Sequence, residues 1–266
     1  MLQRRNGRLL CRCDGLLWQL DPRRHIHSEI IQKGVYERAS VRWVRNNVAP
    51  QWVVFDVGAN FGYYTLQLSR LVGPQGRVHA FEPSPRFRAE LSEHLELNGC
   101  TNVVVEPVGL SDAPGRRELF RDRDTATFYQ QPKPVSDSTP ETVELTSLDL
   151  YAATRSLERL DFIKIDVDGE EERLLTGAQA TLRRFRPLML VEFAHFNLML
   201  AGGGVESLAE KLRALDYVLC SEGSGEPFAD RWELLVETLN CDHSVNVLCV
   251  PAERAPGGGD YGAPPR

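Results

Sequence analysis

The stretch that most constrains this chain is VVFDVGANFG at residues 53–62, an apolar run that breaks into a turn with two glycines. Its β-branched and aromatic residues predict a buried parallel strand over 53–57. Gly58 and Gly62 lack side chains where a ligand or a helix must approach the backbone. Residues 63–72 then have helical spacing. Such a strand–loop–helix unit presents free backbone amides to a ligand, as nucleotide-binding folds do.

The loop reads Asp-x-Gly-x-Asn-x-Gly, with Asp56 at its start and Asn60 in the middle, so GxGxxG is absent. A second apolar run, VHAFEP, follows at residues 78–83 and ends in Glu82. A carboxylate at the tip of the second strand of an adenosine-binding domain accepts hydrogen bonds from both ribose hydroxyls. Two other interpretations stay open: a tight turn without a ligand, and a solvated Glu82 at the N-terminus of a helix that Pro83 and Pro85 open.

The chain has 266 residues, which fits one α/β domain with flanking segments. We expect an N-terminal lead at 1–27, the catalytic domain at 28–252 and a disordered Gly/Pro-rich tail at 253–266. A net charge of −6 argues against a general nucleic-acid binder, and no stretch is typical of a membrane span or a secretory signal. The six cysteines lack zinc-site spacing and favour a reducing compartment, so we expect a cytoplasmic protein without a metal site.

Strand and helix patterns alternate along the chain. They predict helices at 29–47, 63–72, 85–98 and 171–184, and strands at 53–57, 77–82, 103–105, 162–167 and 188–193. Strands near 217–220 and 244–250 are expected to form an antiparallel hairpin. The polar segment 120–142 interrupts this order and predicts a functional excursion over the active-site face.

The chain resembles the FkbM-type family of methyltransferases that depend on S-adenosylmethionine (AdoMet). The resemblance covers roughly residues 30–250 and rests on six motifs: GVYE at 34–37, DVGANFGYY at 56–64, FEP at 81–83, GLSD at 109–112, IKIDVDG at 163–169 and VEF at 191–193. It implies a Rossmann-like class I methyltransferase fold, α/β, with a mostly parallel seven-stranded sheet, helices on both faces and a C-terminal antiparallel hairpin. Asp168 departs from the family pattern, which has Glu at this position.

The resemblance implies AdoMet as the cofactor. Asp56 is suited to cationic or donor groups at the methionine end, and Glu82 to the ribose. Ser111 and Asp112 suit the adenine edge, although the turn signal Pro114-Gly115 explains them equally well. The residues expected to contact the cofactor are Glu37, Asp56, Gly58, Asn60, Gly62, Glu82, Pro83, Ser111, Asp112 and Asp166.

Charged residues near the ends of the fourth and fifth strands are the candidates for chemistry. Lys164, Asp166 and Asp168 alternate along one strand and are expected to face one side. Methyl transfer to a hydroxyl requires in-line alignment and removal of a proton. His195 is the first candidate for the base, followed by Asp166 and Glu192. A packed His195 and a purely structural Lys164–Asp166 ion pair are the alternatives.

The function predicted from the sequence is O-methylation of a hydroxyl on a sugar, glycan or secondary metabolite. The expected partner is thus a small-molecule or glycan acceptor, with no nucleic acid and no membrane, and no oligomeric state is predicted. Two alternatives stay open: a magnesium-assisted O-methyltransferase that uses Asp166, Asp168 and Glu192 as ligands, and a non-catalytic AdoMet-binding module. A nicotinamide dehydrogenase shares the strand–loop–Glu pattern but requires the GxGxxG that this chain lacks.

Overall fold

The structure is a computed structural model that describes residues 3–5, 7–121, 124–129, 140–228 and 244–255. Its strands are β1 (Gln3–Arg5), β2 (Arg8–Cys13), β3 (Leu16–Leu20), β4 (Val53–Val57), β5 (Arg77–Phe81), β6 (Val103–Glu106), β7 (Gly109–Leu110), β8 (Gly115–Arg121), β9 (Ala126–Thr127), β10 (Glu141–Thr146), β11 (Phe162–Ile165), β12 (Leu188–Ala194), β13 (Tyr217–Ser221) and β14 (Ser244–Pro251). Its α-helices are α1 (His25–Lys33), α2 (Arg38–Asn47), α3 (Tyr63–Val72), α4 (Pro85–Asn98), α5 (Leu148–Thr154), α6 (Glu171–Thr176), α7 (Gln179–Phe185), α8 (His195–Leu200) and α9 (Val205–Arg213).

The fold class expected from the sequence, α/β with a mostly parallel seven-stranded sheet, is confirmed. The sheet comprises β4, β5, β6, β11, β12, β13 and β14. The chain divides into two compact units, the first formed by residues 1–109 and 116–144 and the second by 110–115 and 145–266.

In the first unit, β4, β5 and β6 are parallel neighbours, with Val54 beside Val78 and Val78 beside Val103. Val54, Phe55 and Val78 are fully buried, as expected for strands covered on both sides. The predicted helices 63–72 and 85–98 are both confirmed as α3 and α4. Gly99, with a φ of 61°, ends α4 in the left-handed conformation that favours glycine.

Residues 8–20 form an antiparallel pair, β2 and β3, in a part of the lead where local patterns predict no element. The reason is a shared aromatic cluster. Trp18 is 1% exposed and its ring meets Phe61 edge-on, with ring centroids 6.1 Å apart. His94 lies 5.3 Å from Trp18, and its Nε2 accepts a hydrogen bond from the amide of Gln19. Long-range packing therefore orders a segment with a weak local pattern.

The predicted single helix at 29–47 is wrong, because α1 ends at Lys33 and α2 begins at Arg38. Gly34 has a φ of 74° and Glu37 a φ of 46°, and neither conformation continues a right-handed helix. The GVYE motif at 34–37 consequently lies between two helices and not inside one.

In the second unit, β11 and β12 are parallel neighbours. On its other edge, β12 pairs antiparallel with β14, and β14 pairs antiparallel with β13. The predicted C-terminal antiparallel hairpin is thus confirmed for its strands, while its connection at 229–243 lies outside the described residues. All seven residues of β12 are buried, which agrees with its nearly continuous apolar sequence.

The predicted helix at 171–184 is divided into α6 and α7. Gly177 stands at the break, and a Cβ at this position would collide with the carbonyl oxygen of Ser111. Close backbone packing thus fixes this glycine and ends α6 there.

The polar segment at 120–142 is only partly described. Its ends belong to β8 and β10, and β9 pairs antiparallel with β8, so these parts are ordered strands and not an irregular loop. Residues 122–123 and 130–139, and 256–266 of the predicted tail, lie outside the described residues. Among the helices that are described, none is both long and apolar enough to cross a membrane.

Candidate functional site

The glycine loop after β4 depends on three left-handed residues. Gly58, Asn60 and Gly62 have φ values of 84°, 50° and 96°. The amides of Gly58 and Ala59 both donate to the carbonyl oxygen of Phe81 at 3.0 Å, which fastens the loop to the end of β5. A Cβ at Gly62 would lie 2.5 Å from Leu91 Cδ1, so this glycine permits close packing on α4. Only Gly and, less readily, Asn tolerate this backbone.

Asn60 makes three hydrogen bonds that explain why it replaces a glycine. Its backbone amide donates to Glu82 Oε2 at 2.7 Å, and its Nδ2 donates to the carbonyl oxygen of Asp124 at 2.7 Å. Its Oδ1 accepts from the amide of Phe61 at 2.8 Å. These bonds offset the cost of the left-handed conformation and hold the loop against the tip of β5.

Glu82 is 4% exposed, so the interpretation as a solvated carboxylate is wrong. Its Oε1 accepts from the amide of Ser84 at 2.8 Å, and its Oε2 accepts from that of Asn60. Burial raises the pKa of Glu82 to about 7, although both amide hydrogen bonds act to lower it. A carboxylate has about four acceptor positions, so two amides leave capacity for two further donors.

Asp56 and Glu37 have hydroxyl partners that the sequence analysis did not anticipate. Thr65 Oγ1 donates to Asp56 Oδ2 at 2.5 Å, and Tyr64 donates to Glu37 Oε2 at 2.5 Å. Asp56 is 2% exposed. Tyr64, the last residue of the DVGANFGYY motif, is thus the hydrogen-bond partner of Glu37, which lies 27 positions earlier in the chain.

In the second unit, charged residues at the ends of β11 and β12 form a cluster. Lys164 is 1% exposed, and its Nζ lies 3.1 Å from Asp166 Oδ2. Asp166 and Glu192 each place a carboxylate oxygen within 4.8 Å of the other. Burial, followed by the negative charge of Asp166, raises the pKa of Glu192 well above its ordinary range, and Lys164 opposes this shift. Glu192 is therefore the member of this cluster whose surroundings favour the protonated form.

The expectation that Lys164, Asp166 and Asp168 share one strand is wrong, because β11 ends at Ile165. Asp166 and Asp168 lie in the following turn, where Asp168 has a φ of 50°. Asp168 Oδ1 accepts from Asn197 Nδ2, on α8, at 2.8 Å.

Glu171 holds this turn and was missed from the sequence. It is 1% exposed, and its two oxygens accept from the amides of Val167 at 3.1 Å and Gly169 at 3.0 Å. Burial raises its pKa to about 7. The acidic run at 170–172 indicates a helix N-terminus. In the structure, Glu171 of this run also accepts the two amide hydrogen bonds that hold the preceding turn.

His195 is the first residue of α8 and is half-buried. Its Nδ1 is buried and has no hydrogen-bond partner among the described residues. A buried imidazole nitrogen without a partner is costly, so the position suits a group that binds there.

Ser111 and Asp112 follow β7, and Ser111 is 1% exposed. Its hydroxyl lies 2.9 Å from Glu170 Oε2 and 3.1 Å from Asp112 Oδ1, and its amide donates to the carbonyl oxygen of Thr146. Asp112 also forms an ion pair with Arg173 at 3.4 Å. The Ser111 hydroxyl therefore already donates to carboxylates, whereas the side chain of Asp112 is 43% exposed.

The structure brings together two groups of the predicted site residues. Gly58, Asn60, Gly62 and Glu82 form one continuous loop-and-carboxylate arrangement in the first unit, with Pro83 directly after Glu82. Asp166 and Glu192 form the other, in the second unit. A strand, a glycine loop and a helix, followed by an acid at the tip of the next strand, define a nucleotide-binding α/β protein.

Comparison with known proteins identifies the family. The sequence profile described as "Methyltransferase FkbM domain" matches residues 56–219, more than half of the chain, and the chain belongs to this family. It is an AdoMet-dependent methyltransferase, as the sequence motifs predicted.

Three relatives illustrate the similarity. The 2-O-methyltransferase NoeI of Sinorhizobium fredii is 28% identical over 192 residues, covering 65% of this chain and 76% of NoeI. The 31-O-demethyl-FK506 methyltransferase FkbM of Streptomyces tacrolimicus is 29% identical over 182 residues, covering 58% and 68%. Methyltransferase 1 of Beauveria bassiana is 29% identical over 143 residues, covering 47% of this chain and 57% of that protein. A solved structure of Methyltransferase FkbM from Methylobacillus flagellatus aligns with a TM-score of 0.45 at 17% identity, over 63% of this chain and 39% of that one.

The raised pKa values of Glu82 and Glu171 predict a pH-dependent stability. Both shift from 4.5 to about 7, so between these values the folded chain keeps protons that the unfolded chain has released. The stabilisation is complete below pH 4.5 and is lost as the pH rises through 7, by roughly 1–3 kcal/mol for each group. Urea unfolding at pH 5, 6, 7 and 8 measures it.

Glu171→Gln should flatten part of this pH profile, because a glutamine does not titrate. Glu158→Gln, at an exposed position, is the matched control and should keep the wild-type slope. A wild-type free energy of unfolding that rises or stays level from pH 5 to 8 would contradict the assignment.

Proposed function

We propose that this enzyme transfers the methyl group of AdoMet to a hydroxyl on a sugar, a glycan or a secondary metabolite. The observation that carries the proposal is the set of proton-accepting side chains at the ends of β11 and β12, namely Asp166, Glu192 and His195. A hydroxyl must lose a proton as it is methylated, whereas the sulfonium donor is already activated. Two relatives whose names specify O-methylation, NoeI and FkbM, support this direction.

The residues of the first unit fit the cofactor. Glu82 has two amide donors and acceptor capacity left over, which suits the two ribose hydroxyls. Gly58, Asn60 and Gly62 keep the loop backbone close to a ligand, with Pro83 beside it. We assign Asp56 and Glu37 to the methionine end, as acids whose hydroxyl partners hold them in position. When bound, AdoMet supplies an electrophilic methyl group.

Ser111 and Asp112 are assigned to the adenine edge. Asp112 has the exposed carboxylate of the two and can accept from an exocyclic amine. Ser111 supports it through its hydroxyl, which also contacts Glu170. This pair therefore acts mainly through Asp112.

His195 is the proposed base. Its unpartnered Nδ1 has the acceptor character that a base requires if the proton resides on the other ring nitrogen. Asp166 and Glu192 are the alternatives, and Asp166 is also assigned to the amino group of the cofactor. The raised pKa of Glu192 makes its ionised form a stronger proton acceptor than an ordinary glutamate.

The magnesium-assisted alternative has one observation in its favour, the proximity of the Asp166 and Glu192 carboxylates. Against it, the Lys164 ammonium lies 3.1 Å from Asp166, and Asp168 contacts Asn197. The non-catalytic alternative leaves this costly buried charge cluster without a purpose. A cytoplasmic location stays a prediction that rests on the cysteine pattern.

Replacement of Glu82 should weaken cofactor binding. Glu82→Ala removes the acceptor for two ribose hydroxyls, so the affinity for AdoMet is expected to fall about ten- to hundredfold, or roughly 1.5–3 kcal/mol. Titration calorimetry with AdoMet or its demethylated product measures this change. Glu96→Ala, an exposed carboxylate on α4, is the matched control and should bind like the wild type. Equal affinities of the Glu82 and Glu96 variants would remove Glu82 from the site.

His195→Ala should separate chemistry from binding. We expect the rate of methyl transfer to fall about 10²- to 10⁴-fold while AdoMet affinity stays nearly unchanged. Met199→Ala on the same helix, where Met199 is 52% exposed, provides the control. A surrogate sugar or slow AdoMet hydrolysis reports turnover. An undiminished rate of methyl transfer at neutral pH would show that His195 is not the base, and Asp166 or Glu192 would then be the leading candidate.

Asp166→Asn should differ from His195→Ala by reducing both rate and cofactor affinity. It removes the carboxylate partner of Lys164, and an uncompensated buried charge is destabilising. A variant with normal AdoMet affinity would show that Asp166 has no part in holding the cofactor.

Turnover should survive chelation. Because Lys164 already neutralises Asp166, we expect EDTA to leave methyl transfer within about twofold of its untreated rate. Loss of activity with EDTA, and its recovery with magnesium but not with sodium, would establish the metal-assisted mechanism instead.

A further inference from the structure

A cavity of about 250 Å³ in the first unit is lined by Asp21, Arg23, Arg24 and Arg86. None of these residues belongs to the cofactor site assigned above. Three arginines and one aspartate thus line a space that is large enough for a small charged group and too small for an entire large acceptor.

Arg24 is the buried member of this cavity, with 4% of its side chain exposed. Its Nη1 donates to Glu90 Oε2 at 2.5 Å and its Nε to Asp124 Oδ1 at 3.1 Å. Its Nη2 is buried and has no hydrogen-bond partner among the described residues. A guanidinium nitrogen removed from water without an acceptor is costly, so this geometry requires a further acceptor.

The other two arginines leave donors available. Arg86 Nε lies 3.5 Å from Glu90 Oε1, and the Arg86 side chain is 41% exposed. Arg23 binds Asp21 through Nε and Nη2, and its Nη1 has no hydrogen bond to any described residue. Guanidinium groups match the planar, paired oxygens of carboxylates, phosphates and sulfates.

Aromatic contacts fix the guanidinium of Arg24 beside the glycine loop. Its Cζ lies 5.7 Å from the ring centroid of Phe61 and 5.4 Å from that of Phe87. Asp124 links the same arginine to the loop, because its carbonyl oxygen accepts from Asn60 Nδ2. The cavity therefore lies next to the loop assigned to the cofactor.

We infer that this cavity binds an oxyanion group of the methyl acceptor, so that the substrates are hydroxylated molecules that carry a carboxylate, phosphate or sulfate. The inference rests on the proposed function for the identity of the acceptor. Arg24 supplies the buried donor, and Arg23 and Arg86 complete the site from the exposed side.

The binding test uses inorganic sulfate and the full chain. Arg24 itself is unsuitable for substitution, because its loss leaves Glu90 buried without its closest partner. The double variant Arg23→Gln/Arg86→Gln changes only the more exposed side chains, and Arg77→Gln, an exposed arginine of the same unit, is the matched control.

Thermal unfolding is measured in sodium sulfate and in sodium chloride of equal ionic strength. Sulfate should raise the wild-type and Arg77→Gln midpoints by about 2 °C or more beyond chloride, and the double variant by less than half as much. Equal gains in all three proteins would show only the general stabilising effect of sulfate and would overturn the inference.

AdoMet binding distinguishes the source of the oxyanion. Calorimetry with and without sulfate should give cofactor dissociation constants that agree within about twofold, because a separate site does not compete. Competition between sulfate and AdoMet would show that the cavity takes the cofactor's own carboxylate, and the assignment to the acceptor would be wrong.

Kinetics complete the test with sugar phosphates and uronic acids as acceptors. The double variant should raise their KM about tenfold or more while kcat stays within about threefold. An unchanged KM would overturn the inference. If no hydroxyl acceptor is methylated while sulfate still binds selectively, the failure belongs to the proposed O-methylation and not to the oxyanion site.

Discussion

The hydrogen bond between the amide of Asn60 and the carboxylate of Glu82 joins the two elements on which the cofactor site depends. It connects the loop after β4 to the tip of β5, while the Ser84 amide fixes the other carboxylate oxygen. A buried acid that accepts two backbone amides is rigid, and its remaining acceptor positions are directed before any ligand arrives. Burial makes ionisation costly, and the same burial strengthens each hydrogen bond to the ionised form. The first unit thus exchanges stability for a prepared binding site, as functional sites commonly do.

In the second unit, buried charges of opposite sign lie close together. Lys164 is almost completely buried, and its ammonium is stable there because Asp166 lies 3.1 Å away. Glu192 then adds a second acid, whose pKa is raised by burial and by Asp166. Burial and the neighbouring acids thus favour the protonated form of Glu192, while Lys164 favours its ionised form. That property suits a site at which a cationic methyl donor and a hydroxyl must both be accommodated.

Local patterns were sufficient for the elements whose neighbours are close in sequence. The strand at 53–57, the loop to Gly62 and the helix to Val72 follow from the β-branched and aromatic run, the glycine positions and the helical spacing, and the structure confirms them. The same signals failed where the tertiary structure imposes a break. Gly34 and Gly177 each occur inside an amphipathic pattern, and a single glycine is tolerated in helices at a cost of only about 1 kcal/mol. Whether such a glycine ends a helix depends on what packs there, and for Gly177 this is the backbone of Ser111, 66 positions earlier.

Partners of the candidate residues were the least predictable part of the site. The motif at 56–64 identifies Asp56 and Asn60, but nothing in it indicates that Asn60 also contacts Asp124. The Asp124 carboxylate in turn accepts a hydrogen bond from Arg24, which precedes α1 and lies 100 positions earlier in the chain. Sequence patterns report which side chains carry the right chemistry, whereas pairing over such distances is decided by the competition of many packing arrangements. The inferred oxyanion site likewise rests on those long-range pairings and not on any motif, because its central observation is the buried Nη2 of Arg24 without a partner among the described residues.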